Sequence, residues 1–125
     1  MNIIICGAGR VGFTIAKQLS EQGHSITVID TSSEDIQKID DALDVKAIVG
    51  KATYPTILEK ANAAETDMII AVTRNDEINM VICQIAFSIF NIPKKIARIR
   101  SQDYLNPKFT TVYNKENLPI DVIIS

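Results

Sequence analysis

These 125 residues contain no tryptophan, one histidine and two cysteines. One histidine and two distant cysteines do not give the ligand spacing of a zinc centre, so a Cys/His metal site is excluded as the organising feature. Cys6 and Cys83 sit inside apolar segments and read as reduced core residues of a cytosolic protein. His24 follows Gly23 in a turn and reads as a solvated residue. Neither sign of charge is in surplus: 13 Lys and Arg face 15 Asp and Glu, for a formal net charge of −2. That balance gives no basis for general binding to nucleic acid or to an anionic membrane. No apolar run approaches the length of a membrane span, and the start Met-Asn-Ile-Ile-Ile-Cys lacks the basic flank of a signal peptide. Catalytic groupings are missing too, with no His–carboxylate arrangement and no Ser or Cys nucleophile beside a base. Low-complexity tracts, repeats and linkers are likewise absent. A hydrophobic fraction of 46% and a charged fraction of 22% then describe one globular domain with a real core.

The informative feature is Gly7, Gly9 and Gly12, a Gly-x-Gly-x-x-Gly set directly after the β-branched run Ile3-Ile4-Ile5. Gly7 permits the tight turn out of a strand, Gly9 lets a pyrophosphate approach the backbone, and Gly12 lets the next helix pack closely on the sheet. The phosphates then rest on a helix N-terminus, where unbonded N–H groups and the helix dipole favour negative charge. A helix from Arg10 to Gln22 follows, closed by Gly23, and then a strand Ser25–Ile29 ending at Asp30. Asp30 lies 18 residues past Gly12, near the roughly 20-residue distance of an acid that accepts from the adenine ribose. Such a carboxylate repels a 2′-phosphate, which favours NAD or an adenosine nucleotide over NADP. The competing role for Asp30 is to start the Thr31-Ser32-Ser33 turn and cap the next helix.

Strand and helix patterns alternate to the end of the chain. Helices are expected over Glu34–Leu43, through Ile57, Leu58 and Ala61, over Asn75–Phe90 and over Tyr104–Thr111. Strands are expected at Lys46–Val49, Met68–Val72, Lys95–Ile99 and Ile120–Ile124. Alternation of this kind predicts an α/β fold, a Rossmann-type doubly wound parallel sheet of order 3-2-1-4-5-6, with its ligand cleft at the carboxyl ends of strands one and four. Arg10 lies in the phosphate turn, and Arg98 and Arg100 share one face near the end of strand five, suited to a phosphate or to an acidic partner surface. Thr73 faces the nicotinamide side of the cleft, while Asp76 and Glu77 complement the dipole of the helix they begin. On that helix Ile78, Ile82, Ile85, Ala86 and Ile89 suit packing on the sheet. Met80, Cys83, Phe87 and Phe90 form a second apolar stripe, expected to contact another copy or a domain outside this chain. The residues alone leave open a nucleotide-sensing module and the cofactor domain of an NAD-dependent oxidoreductase that lacks its catalytic domain.

Ile4-Ile-Cys-Gly-Ala-Gly-Arg-Val-Gly12, Val28-Ile-Asp30, Val49-Gly-Lys-Ala-Thr53, Ala71-Val-Thr-Arg-Asn-Asp-Glu-Ile-Asn79, Ala97-Arg-Ile-Arg100 and Ile120-Asp-Val-Ile-Ile-Ser125 occur together and in order. As a set they resemble the TrkA N-terminal domain, also called the RCK or KTN domain, of bacterial Trk-type potassium uptake systems. The resemblance covers essentially the whole chain, and the Val-Thr-x-x-Asp-Glu-x-Asn segment is its most specific part. It implies a cytoplasmic regulator, not an enzyme, that sits on the inner face of the cell membrane through a membrane potassium-translocating subunit. It also implies binding of NAD(H) or ATP/ADP and assembly into homo-oligomers. Carried onto this chain, the resemblance places Gly7, Gly9, Arg10 and Val11, with Gly12, at the phosphates, and Asp30 with Thr31 at the ribose. Gly50, Lys51, Ala52 and Thr53 would border the adenine, Thr73 the distal end of the ligand, and Arg98 is a further candidate. In related ATP-binding rings the arginine matching Arg10 reaches the nucleotide of a neighbouring subunit. Lys51 departs from the family, which usually has an acidic residue or Asn there; it removes an acceptor near the adenine and adds a positive charge. Family members commonly carry two such halves, each followed by a smaller domain, so residues 1–125 read as one domain excised from a longer chain.

Overall fold

The apolar runs fold into a single parallel sheet. β1 (Asn2–Cys6), β2 (Ser25–Asp30), β3 (Lys46–Val49), β4 (Met68–Ala71), β5 (Lys94–Arg98) and β6 (Val122–Ile124) lie in the order β3-β2-β1-β4-β5-β6. The description is a computed structural model that covers residues 1–125 throughout. In the register, Cys6 lies opposite Ile29 on one side and Ala71 on the other, and Ala71 lies opposite Ala97. The carboxyl ends of β1, β2, β4 and β5 therefore share one edge. The order reverses between β1 and β4, so the loops leaving those strands diverge and open a crevice.

Strand alternation sorts the core into two layers. Ile3, Ile5, Ile26, Val28 and Ile70 face α1 (Arg10–Glu21) and α2 (Ser33–Ala42), packing with Ala16, Ile36 and Ile39. Ile4, Cys6, Ile29, Ile69 and Ala71 face α3 (Pro55–Lys60) and α4 (Asp76–Ser88), packing with Leu58, Ile82, Cys83 and Ala86. Neither cysteine forms a disulfide, and both thiols are buried. Burial, the main cause in each, pushes Cys83 up to about 12 and raises Cys6 as well, so both are neutral core groups at physiological pH.

Gly23, at φ +89, ends α1. The Gly23 amide donates to the Ser20 carbonyl and that of His24 to Leu19, a paired closure that needs a left-handed residue. The helix expected at Tyr104–Thr111 is instead split into α5 (Gln102–Leu105) and a 3₁₀ segment, Pro107–Tyr113. Pro107 is the cause: it has no N–H to donate, and it holds Asn106 extended at ψ 126. β6 begins at Val122 rather than Ile120, because Leu118, Pro119 and Ile120 turn inward and are buried.

α4 needs the largest correction. The stripe Met80, Cys83, Phe87 and Phe90 is not an outward surface. Cys83 is fully buried with Asn79, Ile82 and Ala86, and Met80 and Phe90 pack on the rim of the same core. Phe87 is half-buried, with the buried Lys95 ammonium 5.6 Å from its ring centroid. What α4 presents outward is Ile78, Val81 and Ile89, which are 42%, 46% and 54% exposed. The helix thus meets the sheet along its 79/82/83/86 line. Asn79 helps fix that rotation, since its amide must reach the ends of both β4 and β5.

Candidate nucleotide site

The three glycines meet three different environments. Gly7 has φ +120, and a Cβ there would lie 2.8 Å from the Val72 carbonyl oxygen, so the β1 turn passes against the end of β4 without room for a side chain. Gly12 faces inward: its Cβ would fall 1.8 Å from the Gly7 carbonyl oxygen. At Gly9 an added Cβ would meet nothing within 4 Å. Gly9 is the residue before α1 and caps it without a side-chain hydrogen bond, and the first turn of α1 holds no acid. By contrast Ser32 caps α2 and Asn75 caps α4, each followed by two acids. The N-terminus of α1 is therefore left bare and positive, with open space beside Gly9.

That space is part of a cleft of about 970 Å³ at the carboxyl ends of β1, β2 and β4, the top of the range common for ligand sites. Gly7, Gly9, Arg10, Val11, Asp30, Thr31, Gly50, Lys51, Ala52, Thr53, Thr73 and Arg98 all line it. Gly12 does not, because it lies beneath the turn, pressed on Gly7; its part is packing rather than contact with a phosphate.

Asp30 joins two loops. One carboxylate oxygen accepts from the Ala8 amide at 2.7 Å, the other from the Ser32 amide at 2.8 Å. The helix cap itself belongs to Ser32, which accepts from Asp35 N–H at 3.1 Å. Each carboxylate oxygen of Asp30 retains a second lone pair, so two hydroxyls of a ribose can be accepted without breaking either bond.

Thr73 and Asn79 form a closed network at the β4 end. Asn79 Oδ1 accepts from the Thr73 amide at 3.0 Å and the Thr73 hydroxyl at 2.6 Å. Its Nδ2 donates to the carbonyls of Thr73 at 3.1 Å and Arg98 at 2.8 Å. The Thr73 hydroxyl is thus engaged in holding the loop, although the residue lines the cleft. Asp76 does more than complement a dipole. Its carboxylate accepts from the amides of Arg100 at 3.1 Å and Ser101 at 2.7 Å, tying the start of α4 to the turn after β5.

The sequence expectations did not place Asp35, Arg74, Asn75, Ile78 and Ile82 in the cleft, yet they line it, as does Arg100. A signal for the first three was available: Arg74 and Asn75 extend the loop that begins at Thr73, and Asp35 lies in the first turn of α2. Both features face the crevice in a sheet of this order. The lining carries five cations, Arg10, Lys51, Arg74, Arg98 and Arg100, against two acids, Asp30 and Asp35. The ion pairs of the chain, Lys38–Glu34 and Lys95–Asp121, involve none of them. The Lys51 ammonium instead lies 5.3 Å from the Tyr54 ring centroid, beside the β3 end of the cleft.

Residues 3–125 match the TrkA-N domain family. The chain is 46% identical over all 125 residues to the Trk system potassium uptake protein TrkA of Azorhizobium caulinodans, and covers 27% of that protein. It thus spans about a quarter of the length of the curated relatives of this kind. Among solved structures, the TrkA-N domain of the inner membrane protein YbaL from Escherichia coli superposes with a TM-score of 0.83 at 20% identity, over 98% of this chain and 85% of that one. The GsuK channel bound to NAD superposes at 0.78 with 16% identity, over 98% of this chain and 21% of that one. GsuK bound to ADP gives 0.77 at 16% identity, over 98% and 30%. Fold, motifs and full-length sequence similarity agree: the chain belongs to the TrkA-N family.

Proposed function

We propose that the chain is the regulatory nucleotide-binding domain of a potassium uptake system, taking NAD(H) or ATP/ADP and acting on a membrane potassium-translocating partner from the cytoplasmic side. The bare N-terminus of α1 at Gly9 carries this reading, because it offers an anion unsatisfied amides and a clear backbone approach. Asp30 supplies acceptors for the ribose of the same ligand. The domain binds without transforming its ligand: the cleft holds arginines, a lysine and two carboxylates, that of Asp30 engaged in loop structure, but no base poised on a nucleophile. Regulation then follows from linkage, since a ligand shifts an assembly only by binding one of its arrangements more tightly. The relatives that bear the potassium-uptake name, and the neighbours seen with NAD and ADP, support the reading.

The test is Gly9→Val. Its side chain enters open space at an extended backbone, so the cost to folding should be about 1 kcal/mol, that of a poorer helix cap. Nucleotide binding measured by titration calorimetry should be lost. Undiminished binding by this variant would remove the phosphate turn from the site.

Assembly with further copies is part of the proposal, and the outward face of α4 supports one location for the contact. Ile78, Val81 and Ile89 form the outward stripe, so Val81→Glu should lower the oligomer mass in light scattering and leave the monomer folded. An unchanged mass would place the contact elsewhere. Phe87→Glu is the poorer probe, because the half-buried Phe87 ring also covers the buried Lys95 ammonium.

A further inference from the structure

We propose that the β3 end of the cleft takes a 6-oxopurine, guanine, at least as well as adenine, and that Lys51 is the residue that sets the choice. The proposal rests on the nucleotide reading above and goes beyond it by naming the base.

The first observation is position. With the phosphates at Gly9 and the ribose at Asp30, the base of a nucleotide lies toward the end of β3. The wall there is Gly50, Lys51, Ala52 and Thr53. This loop is fixed from both ends: the Gly50 amide donates to the Asp30 carbonyl at 2.9 Å, and the Tyr54 amide to the Lys51 carbonyl at 3.0 Å. A Cβ on Gly50 would stand 2.8 Å from Ile57 Cδ1, so the loop is also pressed on α3.

The second is what the loop offers a ligand. The amides of Lys51, Ala52 and Thr53 donate to no backbone carbonyl. The Lys51 side chain is exposed and belongs to neither ion pair of the chain. Its ammonium rests 5.3 Å from the Tyr54 ring centroid. A ring face holds an ammonium only weakly at an exposed site, so Lys51 can turn to a base at little cost. The β3 end is therefore rich in donors, while the Lys51 carbonyl is already taken by Tyr54.

The third is the pattern on the purine edges. Guanine shows two neighbouring acceptors, O6 and N7, the pair that lysine and arginine recognise. Adenine shows a donor, its 6-amino group, beside N7, the pair that asparagine and glutamine recognise. An ammonium beside unbonded amides matches guanine at both atoms and leaves the adenine 6-amino group facing donors. Guanine also carries N–H donors at N1 and N2, and Asp35 is a second carboxylate in the cleft that can accept them. Adenine can give its 6-amino group to Asp35 instead, so it is accepted rather than excluded.

Titration calorimetry on the purified chain with GDP and ADP tests this, because the two ligands share ribose and phosphates and differ only in the base. GDP should bind at least as tightly as ADP. Lys51→Asp, which puts an acceptor where the ammonium stood, should lower the GDP-to-ADP affinity ratio roughly tenfold or more, the worth of one hydrogen bond to a charged group. Lys51→Arg keeps the donor and should keep the wild-type ratio. Lys51 is exposed, so neither substitution threatens the fold. ADP binding more tightly than GDP overturns the proposal. So does a ratio that Lys51→Asp leaves unchanged, since a cation acting only on phosphate would weaken both ligands equally, or one that Lys51→Arg lowers as far as Lys51→Asp does. In those cases the nucleotide reading stands, because nucleotides still bind. Failure of both GDP and ADP to bind would take down both readings.

Discussion

Gly12→Ala should cost the domain about 3 kcal/mol or more, at the upper end of what overpacking produces. The added methyl would stand 1.8 Å from the Gly7 carbonyl oxygen and 2.7 Å from its carbon. Both are backbone atoms, so no rotamer change relieves the contact. Either α1 lifts from the sheet or the β1 turn moves. The turn is itself wedged: a Cβ at Gly7 would already meet the Val72 carbonyl, and the Gly7 amide is bonded to Ile29 at 2.8 Å. Lifting α1 uncovers Ala16 and its contacts with the Ile3/Ile5 layer. Against a typical total stability of about 5–15 kcal/mol, such a loss leaves a visibly unfolded fraction or a marginal chain. Urea unfolding followed by circular dichroism measures it, and a midpoint matching the wild type would mean that the helix does not sit where it is described. The contrast with Gly9→Val matters most. Under the proposed function, two glycines of one motif separate into a folding residue and a binding residue, and the two substitutions should divide stability from affinity.

The sheet was legible because its determinants are local. Ile3-Ile4-Ile5, Ile26–Ile29 and Met68–Ala71 are short apolar runs whose alternate residues suit both faces of a buried parallel strand. Turn chemistry at Gly7 and Gly23 then spaces them. The position of Asp30 in the cleft was legible for the same reason, at a fixed distance behind a glycine turn, although its bond to Ala8 N–H spans 22 residues. What failed was the rotation of α4. A helix apolar on several sides has no single moment to read, and periodicity cannot choose between the 78/82/85/89 and 79/82/83/86 lines. The choice belongs to Asn79, a polar residue whose partners on Arg98 and Thr73 are known only in three dimensions. Asp76 escaped for a similar reason: its first-turn position gives a sufficient local role, which hides the amides of residues 100 and 101. The break at Pro107 needed no tertiary information. There the local signal was simply present and overrode the helical spacing around it.

Asn79→Leu should be comparably severe, at about 3–5 kcal/mol, and should act on the site as well as on the fold. Asn79 is fully buried, and all of its hydrogen-bonding capacity is matched by the Thr73 amide, hydroxyl and carbonyl and the Arg98 carbonyl. A leucine of similar size leaves those backbone groups without partners. Each costs about 1–3 kcal/mol when buried and unsatisfied, discounted where water can reach the half-exposed Thr73. The loop after β4 and the end of β5 would no longer be joined, so nucleotide affinity should fall in any fraction that remains folded. Asn79→Asp separates the donor from the acceptor. The carboxylate keeps the bonds to the Thr73 amide and hydroxyl but turns an oxygen toward two carbonyls. Burial and those carbonyls favour its protonated form, raising the folded pKa above the unfolded value of about 3.9. The sign follows from linkage: the protonated, donating form is fully available below that unfolded value, and its stabilisation is lost as pH rises through the folded pKa. The deficit of Asn79→Asp relative to wild type should therefore be larger at neutral pH than in mild acid, whereas that of Asn79→Leu should not track this titration. Urea unfolding of all three proteins at both pH values decides the matter. A pH-independent deficit for Asn79→Asp would mean that the amide does not donate to Thr73 and Arg98, and the rotation of α4 would then need another cause.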